Sequence, residues 1–175
     1  LLIKNNAKFK KNRYELFCQA LESGNLTATK YLFKKEFLNN INDKNGQNYL
    51  YYIATGGNKE VLEYLVKKNH DNGKKILTQF VDKQRNTPIH IAAQNGQFEI
   101  IKNFQKLGFD INARNADGET VLHILARAQN GEMIKELIKL GADINIKNKI
   151  GKTALDKVEE DFKGISKKIS NKQLQ

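Results

Sequence analysis

Threonine recurs at Thr87, Thr120 and Thr153, at equal intervals, and each time it opens a segment with the same grammar. The first reads TPIHIAAQNGQFEIIKNFQKLGFDIN, the second TVLHILARAQNGEMIKELIKLGADIN, and the third begins TALDKVEEDFKGISKKI. Upstream, NYLYYIATGGNKEVLEYLVKKN places Asn48 in the threonine slot. The interval from there to Thr87 is longer, so an insertion falls near residues 72–81. Earlier still, YELFCQALESGNLTATKYLFKKE matches more loosely, with Gly24 aligned on Gly57. A fixed period of this length restricts the chain to a one-dimensional array. Each unit is too small to bury its own apolar face and must stack on the next.

Within a unit, an Asp/Asn-x-Gly turn comes first, as in ADGET and NKIGKT. A short apolar stretch follows, Ile89 to Ala93 in the best unit, whose small alanines allow close helix approach. Asn95-Gly96 ends it. An amphipathic stretch comes next. Ile100, Ile101, Phe104 and Leu107 fall at helical spacing, as do Met133, Ile134, Leu137 and Leu140, and Val61, Leu62, Leu65 and Val66. Gly108 and Gly141 close these second helices in the left-handed slot. FDINARNADG and ADINIKNKIG then form polar, turn-rich excursions. In one unit Asn130-Gly131 stands two places later than Asn95-Gly96 would project, which predicts a lengthened first helix there. Pro88 is the sole proline. Behind an N-capping Thr87 it takes the first helical position, where its missing N–H costs nothing. Such a cap is worth about 1 kcal/mol. A first helix of roughly eight residues is marginal alone, so its stability must come from stacking.

TPIHIAAQNG and TVLHILARAQNG, followed by LGFDIN and LGADIN, resemble the ankyrin repeat. That resemblance implies a helix–turn–helix pair per unit and a protruding β-hairpin finger. The expected fold is all-α, a solenoid of about five ankyrin-like repeats with hairpin or loop fingers. The expected organisation is an N-terminal extension over 1–10, one repeat domain over 11–169 and a tail over 170–175. The repeats fall near 11–42, 43–81, 82–114, 115–147 and 148–169, the outer two serving as more polar caps. Arg85 departs from the pattern, standing where Gly46, Gly118 and Gly151 hold the turn.

Composition bounds the function. No apolar run approaches the roughly 20 residues of a spanning helix. The opening LLIKNNAKFKKNR lacks a secretory apolar region, and Leu1 in place of Met suggests a fragment. Cys18 is the only cysteine, which excludes an internal disulfide and suits a reducing, cytoplasmic setting. The net charge is +11, from 30 Lys and Arg against 19 Asp and Glu. Only Arg13, Arg85, Arg114 and Arg127 are arginines, and no aromatics interleave the basic runs, which argues against base-specific nucleic-acid reading. The lysine runs are scattered. Several sit at the ends of second helices, where they complement the helix dipole, and they read as solvated surface.

Five features invite a chemical reading. His90 and His123 lie one period apart, but Tyr51 and Asp156 fill the equivalent slots, so no third ligand completes a zinc site. By the resemblance both are helix-start histidines that tie neighbouring units. IGKT at 150–153 ends like a phosphate loop, yet Ile146 occupies the place of its first glycine. Cys18 lies in the histidine slot of the first unit. The one other histidine, His70, belongs to another unit's loop, and no triad forms. VEED at 158–161 reads as a solvated helix face. Asn112 and Asn145 occupy a position that is a hydroxylation target in some related ankyrin domains of animal cells, with Leu137 eight residues before Asn145. In most repeats that asparagine stabilises the finger turn. Catalysis, metal, cofactor and small-molecule substrate are therefore not expected.

The expected function is a monomeric, non-enzymatic protein–protein interaction module. By the resemblance, its concave side is made by the fingers and the exposed faces of the first helices. The slots that the fold leaves free there are Lys44 and Gln47; Lys83, Gln84, Asn86 and Gln94; Asp117, Glu119 and Arg127; and Lys149, Lys152 and Glu160. They hold no aromatic anchor, which makes Arg127 the best single candidate. One alternative is that the chain is the ankyrin targeting segment of a larger enzyme or microbial effector acting in host cytosol. Another is electrostatic binding to nucleic acid or an anionic membrane.

Overall fold

The computed structural model describes residues 13–38, 43, 46–69 and 80–157. Eight α-helices lie among them. They are α1 (13–22), α2 (Leu26–Leu32), α3 (Tyr49–Gly56), α4 (Lys59–Lys68), α5 (Pro88–Gln94), α6 (Phe98–Lys106), α7 (Val121–Arg127) and α8 (Gly131–Lys139). Short 3-10 turns follow α2 at Lys35–Leu38 and open the next unit at Ala154–Lys157. The excursions between pairs are tight turns. Among the described residues, the one extended pairing is an isolated antiparallel bridge between Lys147 and Thr153.

The local chemistry sets each helix start. Asn25, Asn48, Asn58 and Asn130 cap α2, α3, α4 and α8, their side-chain oxygens accepting N–H groups of the first turn. Thr87 and Thr120 cap α5 and α7 in a different way, through a capping box closed by His90 and His123. Pro88 occupies the first helical position of α5 and is buried.

First helices stack side by side, α3 on α5 and α5 on α7, while α2, α4 and α6 form the second row. One continuous apolar core runs the length of the stack, from Phe17 and Leu21 through Leu50, Ile53, Ile89 and Phe104 to Leu122 and Leu137. Of the second-helix stripes read from the sequence, Val61, Leu62, Leu65, Ile100, Ile101, Phe104, Ile134 and Leu137 are buried in it. Backbones approach closely at Gly56, where a Cβ would run into the carbonyl oxygens of Leu21 and Glu22 at the end of α1.

The first helix of the fourth unit is not lengthened. Both α5 and α7 span seven residues. Gln129 takes φ +53°, the left-handed conformation that Gly96 holds one period earlier at φ +70°. Asn130 then caps α8, and Gly131 is its first residue. Stacking on the preceding unit holds the period, and a glutamine accepts the conformation that local preference gives to glycine. Arg85 does the same at its turn, at φ +58° where Gly46, Gly118 and Gly151 have φ +78°, +73° and +75°. A side chain in that region costs about 1–2 kcal/mol.

Candidate functional site

Every described finger is built on one device. An Asp or Asn side chain accepts the N–H of the residue four places on: Asp43 from Gln47 at 2.8 Å, Asp82 from Asn86 at 2.7 Å, Asn115 from Glu119 at 3.0 Å and Asn148 from Lys152 at 3.0 Å. The same residues close each turn through the backbone as well: the N–H groups of Asp43, Asp82, Asn115 and Asn148 donate to the carbonyls of Gln47, Asn86, Glu119 and Lys152 at 2.8, 3.0, 3.0 and 2.8 Å. Neighbouring fingers are then joined backbone to backbone, Ala116 N–H to Gln84 O at 2.8 Å and Lys149 N–H to Asp117 O at 2.9 Å.

The histidines carry the same ladder inward. His90 Nδ1 accepts from Thr87 N–H at 3.2 Å, and Nε2 lies 3.0 Å from Glu119 O in the next unit. His123 repeats this with Thr120 N–H and Lys152 O, at 3.2 and 3.0 Å. Each imidazole is thus the neutral tautomer with its proton on Nε2. Burial holds His90 below its ordinary pKa. No group of three or more His, Cys, Asp or Glu arranged for a metal occurs among the described residues. Tyr51 in this slot has no such rung, while Asp156 copies the capping half, accepting Thr153 N–H at 2.7 Å.

Cys18 is buried, and burial pushes its thiol up to about 12. A thiol so poor in thiolate is a packing group. Asn112 accepts Asp143 N–H at 2.8 Å and donates to Gly141 O at 3.2 Å, so its whole carboxamide bridges to the next unit. Asn145 donates to Asp143 within its own turn. His70, the VEED segment and most of the insertion near 72–81 lie outside the described residues.

Of the residues expected to meet a partner, Lys44 and Glu160 also lie outside the described residues. Lys83, Gln84, Gln94, Asp117, Lys149 and Lys152 are exposed, and Gln47 is half-buried. Asn86 and Glu119 are buried and hydrogen-bonded inside the fold. Asn86 donates to Asp82 and accepts from Asn115, at 2.9 and 3.0 Å. The Glu119 carboxylate pairs with Arg127, whose side chain is still 47% exposed while that of Glu119 is 9%. A shielded anion thus holds a half-exposed guanidinium in place across the finger–helix corner.

Between the fingers that carry Gln47 and Asp82 lies an open groove with Tyr51, Phe80, Val81, Pro88 and Ile91 as its apolar part and Gln47, Asn48, Asp82 and Asn86 as its polar part. Tyr51 supplies this face with an aromatic that the candidate slots lack, because it stands in the histidine slot and not among the finger positions. The signal was present: an aromatic in the helix-start slot, behind an asparagine that caps without its help.

A family model described as ankyrin repeats (3 copies) matches the chain three times, over residues 1–76, 17–115 and 89–157. The chain belongs to the ankyrin repeat family. Ankyrin repeats are in general protein–protein interaction modules, and the family is typically non-catalytic. No helix among the described residues of this ankyrin array is long and apolar enough to cross a membrane.

Proposed function

We propose that this ankyrin array captures a protein partner on the side formed by its fingers and the exposed faces of its first helices, acting as a monomer without catalysis. The observation that carries the reading is the Arg127–Glu119 corner. Arg127 presents a guanidinium whose position is fixed before a partner arrives, which lowers the ordering cost of binding. Gln94 is exposed one period earlier in the same slot, and Asp117 is exposed on the finger that carries Glu119. The Tyr51 groove adds an apolar recess of the kind that receives a side-chain anchor.

The test begins with affinity capture from lysate and mass spectrometry, followed by rebinding of the purified partner. Arg127→Ala together with Asp117→Lys should weaken binding at least about tenfold, the scale of one interface hot spot. The thermal melt should keep a single transition. Undiminished affinity in that double variant would move the site elsewhere on the array.

A further inference from the structure

The lysines that look scattered in the chain are sorted by the fold. Over three of the finger turns, residues 80–86, 113–119 and 146–152, the exposed cations are Lys83, Arg85, Arg114, Lys147, Lys149 and Lys152, and the exposed anion is Asp117; Asp110, Asp143 and Asp156 are exposed on the flanking residues. Asp82 is half-buried in its turn, and Glu119 is buried under Arg127. None of these six cations stands within ion-pair distance of a carboxylate among the described residues. The second helices differ. Together α6 and α8 carry Lys102, Lys106, Lys135 and Lys139 against Glu99, Glu132 and Glu136, with two of those lysines paired. The positive excess of this part of the molecule therefore lies along the finger edge.

The same edge carries exposed aliphatics. Within residues 80–157 the exposed large apolar side chains are Val81 at 50% and Ile150 at 70%. Ile150 sits at a finger tip between Lys149 and Lys152, and Val81 precedes the turn that bears Lys83 and Arg85. No part of the fold requires Ile150 to be apolar; its tip is held by its backbone N–H donating to the Asn148 side chain.

From this pairing of unpaired cations with bare branched aliphatics along one edge, we propose that the finger edge docks on an anionic lipid bilayer. Cations there meet acidic headgroups, and the aliphatic tips enter the boundary between headgroup and acyl chain. A nucleic acid fits less well. The tips offer no aromatic for bases to stack on.

The test is co-sedimentation of the full chain with phosphatidylcholine–phosphatidylserine vesicles, with phosphatidylcholine alone as the control. Partitioning should need phosphatidylserine. Lys149→Glu with Lys152→Glu should lower it at least about tenfold, and Ile150→Ser about threefold or more. Asp117→Lys should raise it several-fold, the opposite sign to the effect expected on protein capture, so the two readings fail separately. All variants should melt as the wild type does. Absence of serine-dependent partitioning overturns the proposal, as does indifference to the Lys149 and Lys152 reversals. Full competition by heparin with no effect of Ile150→Ser would identify a polyanion site and also reject the bilayer.

Discussion

The two ends of the array are held together by different physics. Among the described residues of 14–80 five ring pairs join different elements, among them Tyr14–Phe37 at 5.3 Å, Phe17–Phe37 at 5.1 Å, Phe33–Tyr64 at 5.8 Å and Tyr49–Phe80 at 6.2 Å. From residue 81 on, one ring pair remains among the described residues, Phe104–Phe109. There the units are joined by polar rungs: two histidines to the next turn, two finger-to-finger backbone bonds, Asn112 to Gly141 and Gln105 to Leu140. Cys18 and Tyr51 fill the histidine slot at the first end, His90 and His123 at the second. Polar rungs reach the first end too, Asn58 to Gly24 O at 3.0 Å and Gln97 to Thr55 O at 3.2 Å, so the ends differ in how far a non-directional, area-driven contribution from rings is added to the directional one. The directional one fixes the period more strictly. Phe80 and Val81, the described residues of the insertion read near 72–81, lie at the boundary of the two ends and line the Tyr51 groove.

The largest expected effect attacks the aromatic end. Phe17 is fully buried against Tyr14, Phe33 and Phe37. Phe17→Ala should cost about 3–5 kcal/mol. Because array stability is a sum over neighbours, hydrogen exchange should accelerate over residues 13–38 well before residues 88–140. Uniform acceleration would mean that the two ends are not energetically separate.

Next comes the polar end. His90→Ala removes the Nε2 donor to Glu119 O and the acceptor for Thr87 N–H. A urea melt should show a loss of about 2–3 kcal/mol. The same variant tests the pH dependence. Burial lowers the His90 pKa from 6.5, so between the two values the unfolded chain binds more protons. The stability linked to His90 is complete above pH 6.5 and is lost as the pH falls through the folded value. Wild-type stability should therefore decline from neutral pH toward pH 5, and His90→Ala should decline less. Parallel pH profiles would remove His90 as the source.

The smallest effect would carry one solution into the other's territory. Asn86 O, in the slot of Glu119 O and Lys152 O, accepts Asp82 N–H. Tyr51→His should add the missing rung and gain about 1 kcal/mol or less, while filling the groove less well. Denaturant midpoints read the gain, and a loss would show that the Tyr51 ring contributes more by packing than a rung can return.

Much of this was legible in the residues. The cap at Thr87, the place of Pro88, the buried second-helix stripes and the structural duty of the histidines all follow from short-range spacing. The register after α7 did not. The glycine at 131 pointed to a longer helix, whereas Gln129 adopts the left-handed turn. The candidate surface was legible only as a set of slots. Asn86 and Glu119 are turned inward, and Tyr51, which the sequence presented as an absence, lines a groove.

By itself the sequence determined the repeating unit, because caps, turns and apolar spacing act over a few residues and are written locally. Tertiary stacking alone decided which polar groups of those units face one another and which face water. That is why Glu119 lies beneath Arg127, and why lysines far apart in the chain share one edge with Ile150. Period is a property of neighbours along the chain; surface charge is a property of neighbours in space, and only the stacked fold brings those together.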